Sequence, residues 1–126
     1  MNMAKIFIGV DRRQPVAYNV LQWSLQWNSK RPLQIAPLLS TQLPEMRRGL
    51  TDFTYSRYLV PYLCNFEGRA LFIDGDMVVT EGTDINELFD MMPADFDIAV
   101  NRSLPRFEWP SMMLFNCERI SAMVSA

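Results

Sequence analysis

The sequence predicts an α/β domain in which helices cover a mostly parallel central sheet. Short apolar segments rich in β-branched residues alternate along the chain with segments of helical periodicity. The first apolar segment, residues 5–10, lacks polar alternation, which is typical of a strand buried on both faces. The chain has 126 residues, 49% of them hydrophobic and 21% charged, which is enough for one core. These observations favour a single layered domain over residues 1–126.

The N-terminal part predicts two strands joined by a helix. Strand 5–10 is followed by Pro15, which suits the first turn of a helix. A second strand is expected over residues 33–39, although Pro32 and Pro37 confine it to a sheet edge. The helix between them is indicated by apolar residues at helical spacing, namely Val16, Ala17, Val20, Leu21 and Leu25.

The middle of the chain predicts a polar loop, a helix and the most distinctive strand. Residues 40–53 are polar and indicate a loop. A helix is expected from Thr54, with Pro61 kinking it or ending it early. The segment 69–80 then places two acids between apolar neighbours. One apolar face of the expected helix contains Tyr55, Tyr58, Leu59, Tyr62 and Leu63.

The C-terminal part predicts a short helix, two strands and a helical tail. Asp84 is expected to cap a helix over residues 84–91, with Glu87 three positions on and Ile85, Leu88 and Phe89 facing inward. Residues 97–100 and 112–115 predict strands. The segment from Glu118 is helix-like.

Composition excludes several classes of function. The formal charge of −2 and the pI near 5.0 provide no basic field that would attract nucleic acid. The chain contains no His, which removes His-based catalysis and His metal ligands. Any metal chemistry must therefore depend on carboxylates.

Cysteine usage favours a cytoplasmic location. Cys64 and Cys117 form no C-x-x-C pair and stand among apolar residues, as expected of reduced thiols. No apolar segment reaches the roughly 18 residues of a transmembrane helix. Asp11 and its neighbours interrupt the first apolar segment too early for a signal peptide.

Asp74 and Asp76 form the strongest candidate site. Side chains two positions apart in an extended segment point to the same side, so the two carboxylates converge. In open α/β sheets ligands bind at the carboxyl ends of strands, which is where the apolar segment 70–73 delivers this pair. Such carboxylates repel each other unless a cation lies between them, and Mg²⁺ and Mn²⁺ prefer oxygen ligands. Gly75 between them allows a turn or a close approach of backbone or ligand.

A solvated turn between two strands is the alternative interpretation of this tripeptide, since Asp-Gly-Asp is common in turns. The apolar flanks, residues 72–73 and 77–79, favour the metal site because such segments usually enter and leave a core.

Four segments together resemble glycosyltransferase family 8, whose members have the GT-A fold. They are residues 5–11 (Lys-Ile-Phe-Ile-Gly-Val-Asp), 55–63 (Tyr-Ser-Arg-Tyr-Leu-Val-Pro-Tyr-Leu), 70–79 (Ala-Leu-Phe-Ile-Asp-Gly-Asp-Met-Val-Val) and 84–88 (Asp-Ile-Asn-Glu-Leu). Their order and spacing match over about residues 5–120. The Asp-x-Asp alone is weak, but its combination with the other segments is fairly specific.

This resemblance implies a GT-A-like, Rossmann-like domain that transfers a hexose from a nucleoside-diphosphate sugar, such as a UDP-sugar, with retention of anomeric configuration. Asp74 and Asp76 would bind Mn²⁺ or Mg²⁺ bridging the donor diphosphate. Asp11 would contact the nucleoside and Arg57 the donor phosphates. The plain alternatives are a turn or capping acid for Asp11 and a surface arginine for Arg57.

The chain departs from the family pattern in three places. Family members usually supply a third metal ligand from a downstream His, which this chain lacks. Trp109-Pro110-Ser111 stands where the family typically has Asn-Ala-Gly or Asn-Ser-Gly, and Trp109 could stack on a sugar or serve a structural role. Asn101 and Arg102 could meet the sugar or end a strand. The family's acceptor-binding portion lies beyond residue 126, so we expect a domain incomplete at its C-terminus, with no acceptor or catalytic residue identified.

Two other functions stay open at the level of sequence. One is a catalytically incomplete remnant that binds a nucleotide sugar without transferring it. The other is a haloacid-dehalogenase-like phosphatase, which also uses an apolar strand followed by Asp-x-Asp and Mg²⁺. That family places the motif on its first strand and needs a downstream Lys, whereas no Lys follows Lys30 here.

Overall fold

Five strands build one sheet in the order β2-β1-β3-β5-β4. The structure, a computed structural model, describes residues 3–39, 56–101 and 111–124. Strands β1, β2 and β3 are mutually parallel, while β5 runs antiparallel to both β3 and β4, so four of the five strands share one direction. The strands are β1 (Ala4–Gly9), β2 (Leu33–Leu38), β3 (Arg69–Asp74), β4 (Ile98–Val100) and β5 (Met112–Asn116).

Four α-helices accompany the sheet in the described part of the chain. They are α1 (Pro15–Trp27), α2 (Val60–Leu63), α3 (Asn86–Met91) and α4 (Cys117–Val124), and a 3₁₀ turn over Ser56–Leu59 leads into α2. The predicted α/β architecture with a mostly parallel sheet is confirmed. The proline-containing strand β2 lies at the sheet edge, as predicted.

The core lies on both faces of the sheet, because consecutive strand residues point to opposite sides. In β3, Ala70 and Phe72 pack with residues of α2 and α4, whereas Leu71 and Ile73 pack with residues of α1 and α3. The predicted two-sided burial of β1 is also confirmed, since Ile6 and Ile8 are buried on one face and Phe7 packs against the cluster on the other. Helices therefore cover both faces.

Helix α1 has two apolar faces, and the sheet covers one of them. Leu21 and Leu25 are buried, as their spacing predicts. Val16 and Val20 share the helical spacing but are exposed, on a helix that also exposes the stacked rings of Trp23 and Trp27. Helical periodicity alone does not say which apolar face meets the sheet.

The face predicted for the helix after Thr54 is wrong. Thr54 itself, Tyr55 and the expected loop over residues 40–53 lie outside the described residues. Tyr58, Tyr62 and Leu63 are exposed, and the segment instead buries Arg57, Val60, Pro61 and Cys64. Pro61 lies in the first turn of α2, where a missing N–H is tolerated, so the segment divides into a 3₁₀ turn and a short helix.

The remaining predicted elements are confirmed with small shifts. Helix α3 begins at Asn86 and its N-cap is Ile85, one residue later than the predicted cap Asp84. Asp84 still binds the start of the helix, because its Oδ1 accepts a hydrogen bond from the Asn86 backbone N–H at 3.0 Å. Ile85 is buried, and Leu88 and Phe89 pack against the core. The expected strands at 97–100 and 112–115 correspond to β4 and β5, and the tail helix starts at Cys117.

Candidate functional site

The carboxyl ends of β1 and β3 lie side by side at one edge of the sheet. The two strands pair in parallel, with Gly9 opposite Asp74, so the chain leaves both strands at the same level. Asp11 follows β1 by two residues, while Gly75 and Asp76 directly follow β3. The topology therefore brings the predicted acids to one edge, where ligands bind in open α/β sheets.

Gly75 is required by the backbone packing at this edge. A Cβ atom at position 75 would lie 2.3 Å from the carbonyl oxygen of Gly9, a distance that side chains do not tolerate. Since the contact is with backbone, no side-chain rotation could relieve it. Glycine here lets the turn after β3 lie directly against the end of β1.

Asp74 is a half-buried carboxylate whose charge is incompletely compensated. Its side chain is 20% exposed, and its Oδ1 lies 3.4 Å from a guanidinium nitrogen of Arg57. Burial raises the pKa of Asp74 to about 6, the Arg57 charge opposes this rise, and the nearby Asp76 charge adds to it. A cation beside the two acids would favour the ionised form.

Arg57 is buried, contrary to its interpretation as a surface arginine. Its side chain is 3% exposed, and its guanidinium carbon lies 4.7 Å from the centre of the Phe72 ring. The face of the Phe72 ring packs against the guanidinium, and one guanidinium nitrogen points toward Asp74. The 3₁₀ turn and β3 thus place a positive and a negative charge together at the edge of the core.

Asp11 is held by its own turn. Its Oδ1 accepts hydrogen bonds from the backbone N–H of Arg13 at 2.9 Å and from Nε at 3.1 Å, and its Oδ2 accepts from Nη2 at 2.9 Å. These hydrogen bonds lower the pKa of Asp11. The alternative of a turn acid therefore describes its local contacts, although its position also makes it part of a cleft.

A cleft of about 210 Å³ opens between the ends of β1 and β3 and the start of α1. Asp11 and Asp76 both contribute to its lining, so two of the predicted donor-binding residues meet there. The lining consists of Gly9, Val10, Asp11, Arg13, Gln14, Ala17, Tyr18, Gly75 and Asp76. Arg57 and Asp74 form an ion pair outside this lining. Asp74 is adjacent in sequence to Gly75, which does line the cleft.

Asp74 and Asp76 offer oxygen ligands of the kind that Mn²⁺ and Mg²⁺ prefer. Burial is the largest cause of the raised pKa of Asp74 and outweighs the opposing charge of Arg57, so added positive charge at this position would stabilise the ionised carboxylate. Within residues 3–39, 56–101 and 111–124, no group of three or more His, Cys, Asp or Glu side chains is arranged to hold a metal.

Asn101 directly follows β4 and fits the interpretation of a residue that ends a strand. Its Nδ2 donates to Ser111 Oγ at 2.9 Å, and its Oδ1 accepts from the backbone N–H of Met112 at 3.0 Å. Both ends of the side-chain amide thus tie β4 to the start of β5. Arg102, Trp109 and Pro110 lie outside the described residues.

Sequence reasoning missed three residues of the cleft. Gly9 supplies the backbone against which Gly75 lies, and Arg13 holds Asp11. Tyr18 lines the cleft from α1, and partial burial raises its pKa. Tyr18 precedes the buried Leu21 and Leu25 by three and seven positions, so its helical phase was a usable signal.

Comparison with curated proteins finds a relative that is about twice as long as the matched region. The chain is 31% identical over 140 aligned positions to Protein CDI of Arabidopsis thaliana, covering 90% of this chain and 52% of that protein. It thus spans about half the length of this curated relative. No family model matches the chain.

Solved glycosyltransferases share the architecture. The chain superimposes on the bifunctional glycosyltransferase WbbM with a TM-score of 0.73, at 15% identity over 98% of this chain and 33% of that one. For GlyE of Streptococcus pneumoniae TIGR4 the TM-score is 0.71, at 16% identity over 98% of this chain and 36% of that one. The chain has the GT-A fold.

A third match is a glycosyltransferase involved in glycosylation of the major capsid of PBCV-1. Its TM-score is 0.58, at 10% identity over 98% of this chain and 65% of that one.

In the part of the chain that the structure describes, no helix combines the length and apolarity needed to cross a membrane.

Proposed function

We propose that this chain carries the donor-binding site of a metal-dependent glycosyltransferase that moves a hexose from a nucleoside-diphosphate sugar, with a UDP-sugar as the donor. The observation that carries the proposal is the placement of Asp74 and Asp76 where the carboxyl ends of β1 and β3 meet, with Asp74 half-buried and 3.4 Å from Arg57. Burial raises the pKa of Asp74 to about 6, so a cation there would favour its ionised form. The acceptor is not assigned, and the resemblance to family 8 stays a prediction.

Asp74 and Asp76 would hold Mn²⁺ or Mg²⁺. When bound, the cation would neutralise negative charge on the donor diphosphate as the glycosidic bond breaks. Arg57 would add a second positive charge at the same edge. Its buried guanidinium lies over Phe72 and 3.4 Å from Asp74 Oδ1, so its charge would act beside the cation.

Asp11 and the cleft beside it suit the nucleoside end of the donor. The three hydrogen bonds from Arg13 fix the carboxylate, so the group is oriented before a ligand arrives. The cleft volume of about 210 Å³ is below the roughly 300–1,000 Å³ of ordinary ligand pockets. The described residues therefore provide part of a donor site, with room for one portion of a nucleotide sugar.

The proposal is tested by isothermal titration calorimetry with UDP-glucose and UDP-galactose, each with and without MnCl₂. We expect binding that requires Mn²⁺ and that falls at least about 100-fold in Asp74→Asn, because a direct metal ligand is lost. Asp90→Asn is the matched control, since Asp90 is exposed and pairs with Arg31 away from the cleft. Unchanged affinity in Asp74→Asn would overturn the metal assignment.

The same titrations, combined with product analysis, separate the alternatives. Metal-dependent binding with neither hydrolysis nor transfer of the sugar would favour the non-catalytic remnant. Release of inorganic phosphate from phosphomonoesters without nucleotide binding would favour the phosphatase. The cytoplasmic location stays a prediction.

A further inference from the structure

Helix α1 carries an apolar stripe that other residues in the described part of the chain leave exposed. The stripe consists of Val16, Val20, Trp23 and Trp27, which are 47–69% exposed. The opposite side of the helix is already buried against the sheet. A helix on a protein surface normally presents charged residues to water, but none of the 13 residues of α1 is charged. The exposed side of α1 is therefore unlike an ordinary solvated helix face.

The spacing of the stripe is that of a helix-packing seam. Its four residues follow one another at intervals of four, three and four positions, as in a coiled coil. They therefore lie in one narrow line along a helix that is roughly 20 Å long. The rings of Trp23 and Trp27 stack with their centroids 5.2 Å apart and their planes 13° apart. Because the two rings hold each other in place, less side-chain entropy is lost when a partner binds.

The order of residues in the stripe suits a second copy of the same helix. Val16 and Trp27 lie equally far from the centre of the stripe, and so do Val20 and Trp23. Antiparallel pairing about a twofold axis therefore places each Val of one copy against a Trp of the other. A small side chain then meets a large one at every position, which favours interdigitation. Parallel pairing would instead oppose Trp to Trp and Val to Val.

The exposed area of the stripe is sufficient for a weak dimer. Taking about 250 Å² for a whole Trp, the exposed parts of the four residues amount to roughly 500 Å² per copy. Two copies would then bury roughly 1,000 Å² in total, which is the lower limit for a specific interface between proteins. Contiguous apolar patches of several hundred Å² typically mark interaction surfaces.

We propose that this chain forms a twofold symmetric dimer in which α1 packs antiparallel against α1 of a second copy. The seam spacing, the symmetric order of Val and Trp, the lack of charge and the exposed area carry this inference. It does not depend on the proposed glycosyl transfer. A carbohydrate stacked on the exposed Trp rings is the other occupant that the experiment distinguishes.

Sedimentation velocity of the purified chain over about 5–500 µM tests the proposal, since an interface of this size is typical of weak association. We expect the weight-average mass to rise from 14.6 kDa toward twice that value. Val20→Lys and Trp23→Glu should each stay monomeric, because the interface would bury an unpaired charge. Tyr62→Lys is the matched control and should dimerise like the wild type, since Tyr62 is equally exposed on α2, which covers the other face of the sheet.

An equimolar mixture of the two charged variants tests the antiparallel arrangement. In the mixed dimer, the lysine introduced at position 20 of one copy would meet the glutamate introduced at position 23 of the other, and the second contact would keep the native Val20 and Trp23. We therefore expect dimers to return in the mixture, since opposite charges now face each other. Their return would also show that both variants are folded. Wild-type dimers without dimers in the mixture would contradict the antiparallel pairing.

Two further results would overturn the proposal as a whole. One is a native chain that stays monomeric at every concentration, and the other is a dimer that persists in both charged variants. If the chain is monomeric and its Trp fluorescence changes on addition of maltohexaose or cellohexaose, the stripe is a carbohydrate surface instead. Circular dichroism of each variant checks that α1 is intact, as expected for substitutions at exposed positions.

Discussion

The amino ends and the carboxyl ends of the strands differ in how well their buried carboxylates are compensated by hydrogen bonds and opposite charge. At the amino ends of the strands, Asp84 accepts hydrogen bonds from the backbone N–H of Lys30 at 3.0 Å and from both nitrogens of Asn86 at 3.0 and 2.8 Å. Burial opposes ionisation of Asp84, but these hydrogen bonds outweigh it and lower the pKa. At the carboxyl ends, Asp74 meets Arg57 at 3.4 Å and its pKa is raised.

Arg69, at the amino end of β3, is also well supplied with hydrogen-bond partners. Its guanidinium donates to the carbonyls of Phe89, Met92 and Pro93 at 2.8–3.1 Å, which satisfies the end of α3, and it lies over the Phe96 ring. Polar groups at this edge thus find their partners within the chain and stabilise the fold. At the carboxyl ends, burial of Asp74 outweighs the opposing charge of Arg57 and raises its pKa, which is typical of a site that a ligand completes.

The largest effect is expected at the compensated edge. Asp84→Ala should lower the free energy of unfolding by about 2–4 kcal/mol, because three donors lose a buried acceptor. Urea denaturation at pH 7 measures the change. The control, Asp90→Ala, removes an exposed partner of Arg31 and should cost no more than about 1 kcal/mol. Equal losses in the two variants would contradict the comparison.

Removing the charge of Asp74 is expected to stabilise the protein, whereas removing Asp84 destabilises it. In metal-free buffer with a chelator, Asp74→Asn should raise the free energy of unfolding at pH 7 by about 1–2 kcal/mol, because an incompletely compensated buried charge is removed.

The pH profile provides a second measurement on the same variant. The unfolded side chain loses its proton near its ordinary pKa of 3.8, whereas the folded one keeps it to about 6. The contribution of Asp74 to stability is therefore complete below pH 4 and is lost as the pH rises to about 6. The loss should be about 1–3 kcal/mol and absent from Asp74→Asn. Identical profiles for the two proteins would refute this account of the carboxylate.

The smallest effect is expected for Arg57 as a ligand of the donor phosphates. Arg57→Ala should weaken Mn²⁺-dependent binding of a UDP-sugar about tenfold, or about 1.4 kcal/mol, since one of two positive charges at the diphosphate is lost. Titration calorimetry checks this at a temperature where the variant is folded. Arg119→Ala is the matched control, because Arg119 is exposed and pairs with Asp97. Equal affinity in wild type and Arg57→Ala would return Arg57 to a purely structural role.

The elements with strong local signals were predictable. Strand β1 is buried on both faces because its residues are apolar without alternation, and Pro37 confines β2 to an edge because proline cannot donate to a ladder. Asp74 and Asp76 were placed correctly at the end of a strand because the apolar segment before them ends abruptly at the first acid.

The errors concern which side of an element is covered. Val16 and Leu21 both fit the helical spacing of α1, yet the sheet covers Leu21 and leaves Val16 exposed. Tyr58 and Tyr62 face outward and Arg57 faces inward, because Phe72 and Asp74 on β3 provide a ring face and a carboxylate for its guanidinium. A local pattern holds no information about partners supplied from elsewhere in the chain.

The sequence by itself determined the strands, the two-sided burial of β1 and the two acids at the end of β3, since apolar segments and turn residues act over a few neighbouring positions. The tertiary structure alone decided that Gly75 lies against Gly9 and that Asp74 is half-buried beside Arg57. Each of these contacts joins residues far apart in the chain. Their pKa shifts and close approaches exist only once the sheet has brought them together.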